Sequence, residues 1–478
     1  MKKTAFYLIT DSHLVSPEVW VEGAPINMRE RSDQIALKAT PQILDTFLKK
    51  ILADEQTDTV IFTGDNVDNG DMASHIAFRQ RLEMLTAAGK KVYVVSATHD
   101  YCGAGDDENM FSAARYTETG REPIPFMRKS ELFDFYYNYG PAQAISVHRD
   151  SRSYVVQLCD GVRLVMIDDN GNGRSHCGLF ADGMQWLKDE LEKAKADGDY
   201  VLLAVHHPVL PPWEVFRHMV DYELYGGYRD LYKLMCEENV RVVFTGHTHV
   251  QSIRKYTDDE GRWFLNVATI ALANAAGKMR KVTVDAESGV CDVQSIGIET
   301  IDGLDTGGKS AFEYLYRINI PGILEKLLPL AETDYDAFLS LADGLPLPSD
   351  MLKKYKSIVR LVCRKAEKLT LAKLAHLSGA WHNLSKEQRI YAKQSHAMDT
   401  VFEVLRHIYP GNAPYTPGTP EHTVITAVTQ KLDRIVARFH IDAVQKLIPP
   451  GSSLEEMVQD FLYNNRTGDD DSIRFSLR

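Results

Sequence analysis

At 478 residues the chain exceeds one ordinary domain, and two or three are expected. Its 44% hydrophobic and 25% charged residues are those of a soluble globular protein with ample material for a large core. A net charge of −12 argues against broad binding to nucleic acid or an anionic membrane, both polyanions, although bound cations can reverse the field locally around a phosphorylated ligand.

Residues 6–10 read as the first strand, because Ala5-Phe6-Tyr7-Leu8-Ile9 is too short for a signal-peptide core and runs straight into Thr10-Asp11. No apolar run approaches the ~20 residues needed to cross a bilayer. A cytoplasmic protein is therefore expected, with no membrane and no stable nucleic acid among its partners. The six scattered cysteines form no CxxC pair and read as reduced, mostly buried thiols.

From residue 4 to about 301, short β-branched runs alternate with helical stretches. An amphipathic helix over residues 33–53 carries Ile35, Leu37, Ile43, Leu44, Phe47, Leu48 and Ile51 on one face. Strand 59–63, helix 75–88 and strand 92–97 follow. Two further strands, 153–158 and 163–168, precede helix 184–196, strand 201–205, helix 229–238 and strand 240–245. The turn Asp258-Asp259-Glu260-Gly261 joins a hairpin. The pattern is α/β with some antiparallel strands.

Residues 101–140 are rich in aromatics and poor in periodicity; they read as a cap over a site or as a loop packed by its own rings. After residue 300 the strand signal disappears. Asp302-Gly303-Leu304-Asp305-Thr306-Gly307-Gly308 reads as a linker, which divides the chain into domains 1–301 and 302–478. Helical faces over 351–363 and 423–439 make the second an all-helical domain, interrupted at 410–420 and fraying from 466. Its basic stretch, Lys353 to Lys373, reads as a solvated helix face, a guide for an anionic substrate or a contact with another chain. The same helices are the expected surface for homo-oligomerisation.

Five short segments rich in oxygen and imidazole ligands each follow a strand: Asp11-Ser12-His13, Gly64-Asp65, His99-Asp100, His206-His207-Pro208 and Gly246-His247-Thr248-His249. Strand ends are where an α/β fold gathers its chemistry, so segments far apart in sequence can converge on one metal centre. Asp11 and His13 are two residues apart and can address one ion, and His247 and His249 repeat that spacing. A carboxylate at Asp65 can bridge two cations with its two oxygens.

The order DxH, GDxxD, GNH[D/E], HxP, GHxH is that of the calcineurin-like metallophosphoesterases, which residues 4–285 resemble; Asn69-Gly70 and His75 look like the bacterial members. The resemblance implies a four-layer αββα sandwich with two mixed β-sheets. It implies one metal held by Asp11, His13, Asp65 and His249 and a second held by Asp65, His206 and His247. Mixed O/N ligation suits Mn, Fe or Zn better than Ca or Mg. A metal-bound hydroxide would then hydrolyse a phosphomonoester or phosphodiester of a small molecule or phosphoprotein, with His99 acting on the transition state or leaving group and Asp100 orienting it.

One position departs from the family pattern. Ala97-Thr98 stands where the family has Gly-Asn, so Thr98 would offer a hydroxyl in place of an amide oxygen and the second metal should be held more weakly. The same departure motivates a competing reading, a degenerate fold that binds a phosphorylated ligand or partner without turning it over. Asp68 reads as a supporting acid, Asp168 and Asp169 as crevice lining or a turn, Asn266 as a pocket residue, and His148, His176 and His218 as non-ligands.

Overall fold

Two βα crossovers build one half of a mixed sheet. The computed structural model describes residues 2–103, 112–169, 177–213, 224–342, 349–439, 453–462 and 468–478. Strand β1 (Lys3–Ile9) is followed by helices α1 (Ala24–Arg31) and α2 (Thr40–Ala53), then β2 (Thr59–Thr63), α3 (Met72–Ala87) and β3 (Lys91–Val95). The three strands are parallel, with Phe6 opposite Thr59 and Thr59 opposite Lys91. Right-handed crossovers put α2 and α3 on one face, where Phe78 of α3 meets Phe62 of β2 edge-on at 5.1 Å. The expected helix over residues 33–53 is shorter at its start. Pro41, in the first turn of α2, fixes φ where a helix begins, and residues 37–39 form a separate 3₁₀ turn.

The segment 101–140 contains a short hairpin, β4 (Ala114–Tyr116) and β5 (Arg121–Pro123), and helix α4 (Lys129–Phe135). A second mixed sheet takes β6 (Ser146–His148), β7 (Ser153–Cys159), β8 (Val162–Ile167), β9 (Tyr200–Val205), β10 (Val242–Thr245), β11 (Ser252–Thr257) and β12 (Trp263–Ala268), in the order β11-β12-β10-β9-β8-β7-β6. Helices α5 (Ala181–Asp197) and α6 (Tyr228–Glu237) cover its outer face through Leu187, Leu191, Leu231 and Met235. The chain then returns to the first sheet as β13 (Lys278–Asp285) and β14 (Val290–Gly297). Between the sheets lie Phe6, Leu8, Ile61, Leu164, Leu202, Phe244, Val267 and Val282, fully buried. The result is the expected four-layer αββα sandwich.

The helices that follow are α7 (Ala311–Ile318), α8 (Ile320–Thr333), α9 (Tyr335–Ala342), α10 (Ser349–Lys354), α11 (Lys356–Glu367), α12 (Leu371–Ser378), α13 (Lys386–Gln394), α14 (Ala397–His407), α15 (Pro420–Phe439) and α16 (Leu454–Leu462). Ile323, Leu327, Tyr335 and Phe338 form one of their cores, and Leu371, Ala375, Leu384 and Val424 another. No helix among the described residues is long and apolar enough to cross a membrane.

The tail corrects the sequence reading. Residues 472–476, expected to fray, form β15 (Ser472–Ser476), antiparallel to β14 at the edge of the first sheet. Arg280, fully buried on β13, donates to the backbone carbonyls of Asp470 (2.8 Å), Asp471 (3.1 Å) and Ala268 (2.8 Å) and to Ser295 Oγ. The sandwich unit thus comprises residues 1–212, 221–315 and 466–478, and the helical unit residues 213–220 and 316–465. The larger part of the second unit, residues 316–465, thus lies in the chain between β14 and β15 of the first.

Candidate metal centre

The five ligand-bearing segments leave the C-terminal ends of β1, β2, β3, β9 and β10. Their backbones are unusual. Asp11 (φ 49°), His13 (40°), Asp65 (49°), His247 (71°) and His249 (57°) all occupy the left-handed region, which costs a non-glycine residue energy unless the surroundings impose it. Short loop-to-loop hydrogen bonds impose it here: Asp11 N to Gly64 O, His13 N to Asp65 O, and Gly246 N to His206 O. Gly64 and Gly246 allow the close approach. A Cβ on Gly64 would lie 2.8 Å from His206 Nδ1, and one on Gly246 would collide with Thr10 Oγ1 and the Asp11 carboxylate.

The side chains converge. Ligand atoms of Asp11, His13 and His249 lie within 4.8 Å of one another, as do those of Asp65, His206 and His247, and those of His13, Asp65 and His99. His13 Nε2 stands 2.9 Å from His249 Nε2 and 3.9 Å from Asp65 Oδ2, while His206 Nε2 is 3.0 Å from Asp65 Oδ2 and 3.8 Å from Asp11 Oδ1. Two ligands at right angles on one ion, each at about 2.1 Å, are separated by about 3.0 Å, so these spacings fit a shared cation. His206 donates Nδ1–H to Thr63 O (3.0 Å), which leaves its buried Nε2 aimed at Asp65 without a hydrogen bond. The donor set is thus one that could hold metal ions, as the family resemblance leads one to expect.

The field points the same way. Burial opposes ionisation of Asp11 and Asp65, but the His206 imidazole and neighbouring rings overcome it and hold both carboxyls far below the usual range. Burial likewise opposes a charge on His13 and His206, yet the carboxylates around them raise each to about 10. Positive charge is thus stabilised at His13 and His206, whereas burial pushes the His249 imidazole below its ordinary value.

His99, on the turn after β3, donates Nδ1–H to Asp68 O (2.5 Å), and its backbone N–H donates to Asp65 Oδ1 (2.8 Å). Burial lowers its pKa to about 4. Its ring lies 4.6 Å from that of His13, edge to face. Asp100 does not orient it, contrary to the sequence reading. The Asp100 carboxylate faces the other way and accepts from Val67 N (3.0 Å), Ala97 N (2.8 Å) and Asn66 Nδ2 (3.1 Å), so it braces the turns after β2 and β3. Burial, then the Asp65 charge, raises it to about 7. Thr98 is buried at the start of the 3₁₀ turn 98–100.

Supporting residues surround the cluster. Asp68 Oδ1 lies 3.7 Å from His13 Nδ1 and 3.3 Å from Arg29 Nη2 on α1; desolvation works against its charge, but Arg29 and the two histidines hold it at about 2. Asp169, after β8, accepts from His207 N (2.9 Å) and Nδ1 (2.7 Å), and the His207 ring packs 4.1 Å from that of His247. Asp168 instead holds Arg152 through two hydrogen bonds. Asn266 accepts from Val209 N and Leu210 N and donates to Thr245 Oγ1, tying the loop after β9 to β10. His148 binds Ser151 away from the cluster, and His176 and His218 lie outside the described residues. Sequence reasoning missed Arg29, whose helix has too little apolar periodicity to announce itself, and it left Asp169 between two roles although its place at a strand end was a usable signal.

Two curated relatives overlap this region. A cAMP/cGMP dual specificity phosphodiesterase of Mycobacterium tuberculosis is 27% identical over 245 residues, covering 50% of this chain and 60% of the relative. A probable glycerophosphodiester phosphodiesterase of Arcobacter nitrofigilis is 26% identical over 193 residues, covering 40% and 56%. The chain thus spans less than two thirds of either. A dimetal phosphatase from Danio rerio superposes with a TM-score of 0.42 at 14% identity, over 62% of this chain and 96% of that one. The model of the calcineurin-like phosphoesterases matches residues 5–251, from β1 to just past the loop that carries His247 and His249, and the chain belongs to that family.

Proposed function

We propose that the crevice hydrolyses a phosphodiester with two transition-metal cations, Mn, Fe or Zn. One would be held by Asp11, His13, Asp65 and His249, the other by Asp65, His206 and His247, with Thr98 beside it. The observation that carries this reading is the left-handed backbone at five of these six histidine and aspartate positions. Strain of that kind persists where function needs a fixed geometry. A diester is favoured because both relatives described above are named as phosphodiesterases.

When bound, such cations would neutralise phosphoryl oxygens and acidify water. The chain's own residues supply the rest. His99 Nδ1–H is committed to the Asp68 carbonyl, so Nε2 is the atom that exchanges a proton with the leaving oxygen. Negative charge arriving with the substrate favours the protonated ring. Asp68 and the Asp169–His207 pair fix the rings of His13, His99 and His247.

The test is hydrolysis of bis-p-nitrophenyl phosphate and p-nitrophenyl phosphate with added Mn²⁺. Wild type should turn over the diester faster. Asp65→Asn should lose bound metal and nearly all activity, and His99→Ala should lose about 10²–10⁴-fold in kcat while keeping its metal. Absence of a metal-dependent rate with any of the three metals would instead support the ligand-binding reading motivated by Thr98. On the catalytic reading, Thr98→Asn raises occupancy of the second metal.

A further inference from the structure

Helix α11 is anchored on one side and open on the other. Val359 and Cys363 pack against the α8–α9 core. Arg360 donates to Ala331 O (3.1 Å) and lies over the Tyr335 ring, and Arg364 pairs with Glu332 at 2.8 Å. The opposite face carries Ile358, Leu361 and Val362, which remain 58%, 49% and 59% exposed. Their spacing of three and four residues makes one continuous apolar row, and Tyr355, 39% exposed, extends it by a turn. No residue of α11 is buried.

Lysines border this row. Between Lys353 and Lys368 there are seven basic residues and one acidic residue, in a chain whose net charge is −12. Lys353, Lys365 and Lys368 are exposed and enter no ion pair among the described residues. Lys365 shares the face of Ile358 and Leu361. Long lysine stems can lie along an apolar surface while their ammonium groups reach past it.

We propose that this face of the helical unit docks on an anionic phospholipid surface, Ile358, Leu361 and Val362 entering the headgroup boundary and the lysines pairing with lipid phosphates and carboxylates. Apolar residues flanked by lysines on one helix face are the pattern of interfacial binding. A second copy of the chain is a poorer occupant, because its own lysines would oppose these. Nucleic acid would use the lysines and leave the apolar row in water. The sequence-based expectation of no membrane partner rested on the lack of a spanning segment, which surface docking does not need, and on net charge, which averages over a local surplus of the opposite sign.

The experiment is sedimentation of the full chain with vesicles of phosphatidylcholine alone and of equal parts phosphatidylcholine and phosphatidylserine. Binding is expected to the mixed vesicles only. The pair K365Q/K368Q should weaken it about 25-fold, at roughly fivefold per lysine. The pair I358S/L361S should weaken it at least about tenfold. All four sites are surface positions outside the metal centre, so metal-dependent phosphoesterase activity should be unchanged in both variants. Three results would overturn the proposal: no binding to the mixed vesicles, full retention in I358S/L361S, or a dimer that dissociates on that substitution.

Discussion

Asp65 shows how much one residue position is asked to do. It must hold a left-handed backbone, offer Oδ1 to the His99 N–H and keep Oδ2 near His206. Gly64 makes this approach possible at φ 100°. Gly64→Ala combines an unfavourable φ with a Cβ 2.7 Å from the Ala97 Cβ and 2.8 Å from His206 Nδ1. It should therefore displace His206, lowering the stoichiometry of bound Mn²⁺ toward one and cutting activity by at least about 10²-fold, while costing about 1–3 kcal/mol of stability. Metal analysis alongside urea unfolding separates the two effects. The residues that carry this geometry were legible because Asp, His and Gly stand in fixed order at strand ends. Asp100 was misread for a physical reason. Adjacency to His99 suggested contact, but a 3₁₀ turn points neighbouring side chains apart and turns the Asp100 carboxylate toward the backbone of Val67 and Ala97.

Strands and helices with clean periodicity were readable to within a few residues, as in β2, α5 and the β11–β12 hairpin. What escaped were elements whose stability comes from elsewhere. Helix α1 lacks an apolar stripe and is held by polar pairs such as Arg29–Asp68 and Lys38–Glu30. One polar junction ties three elements together. Asp54, at the C-terminal end of α2, accepts from Tyr7 Oη of β1 (2.6 Å), Lys281 Nζ of β13 (2.7 Å) and Thr57 Oγ1 (2.9 Å). The Lys281 ammonium, then the Tyr7 hydroxyl, hold its carboxyl well below the ordinary value near 4. Because the folded pKa is depressed, this contribution is complete above about pH 4 and fades as pH falls toward the folded value. Asp54→Asn should cost about 2 kcal/mol at pH 7, and the deficit should shrink progressively in urea titrations below pH 4. A pH-independent deficit would assign the loss to packing.

At the scale of the whole molecule, the sandwich followed from the motif order, whereas the return of the chain to its first sheet did not. Residues 472–476 are short and mostly polar on their exposed side, and nothing local marks them as the neighbour of a strand that ends at Gly297. Arg280 makes that return consequential. Without residues 468–478 it would lose the Asp470 and Asp471 carbonyls and remain a buried guanidinium with too few acceptors. Deleting them should destabilise the sandwich by about 3–5 kcal/mol, read as a drop in its urea midpoint.

The same closure sets a timetable for folding. β14 emerges from the ribosome long before β15, and its outer N–H and C=O groups wait unpaired while some 170 residues are made. Replacing residues 302–467 with a short turn would make this long-range pairing of β14 with β15 a local hairpin. Refolding should then speed up and aggregation at the open border should subside.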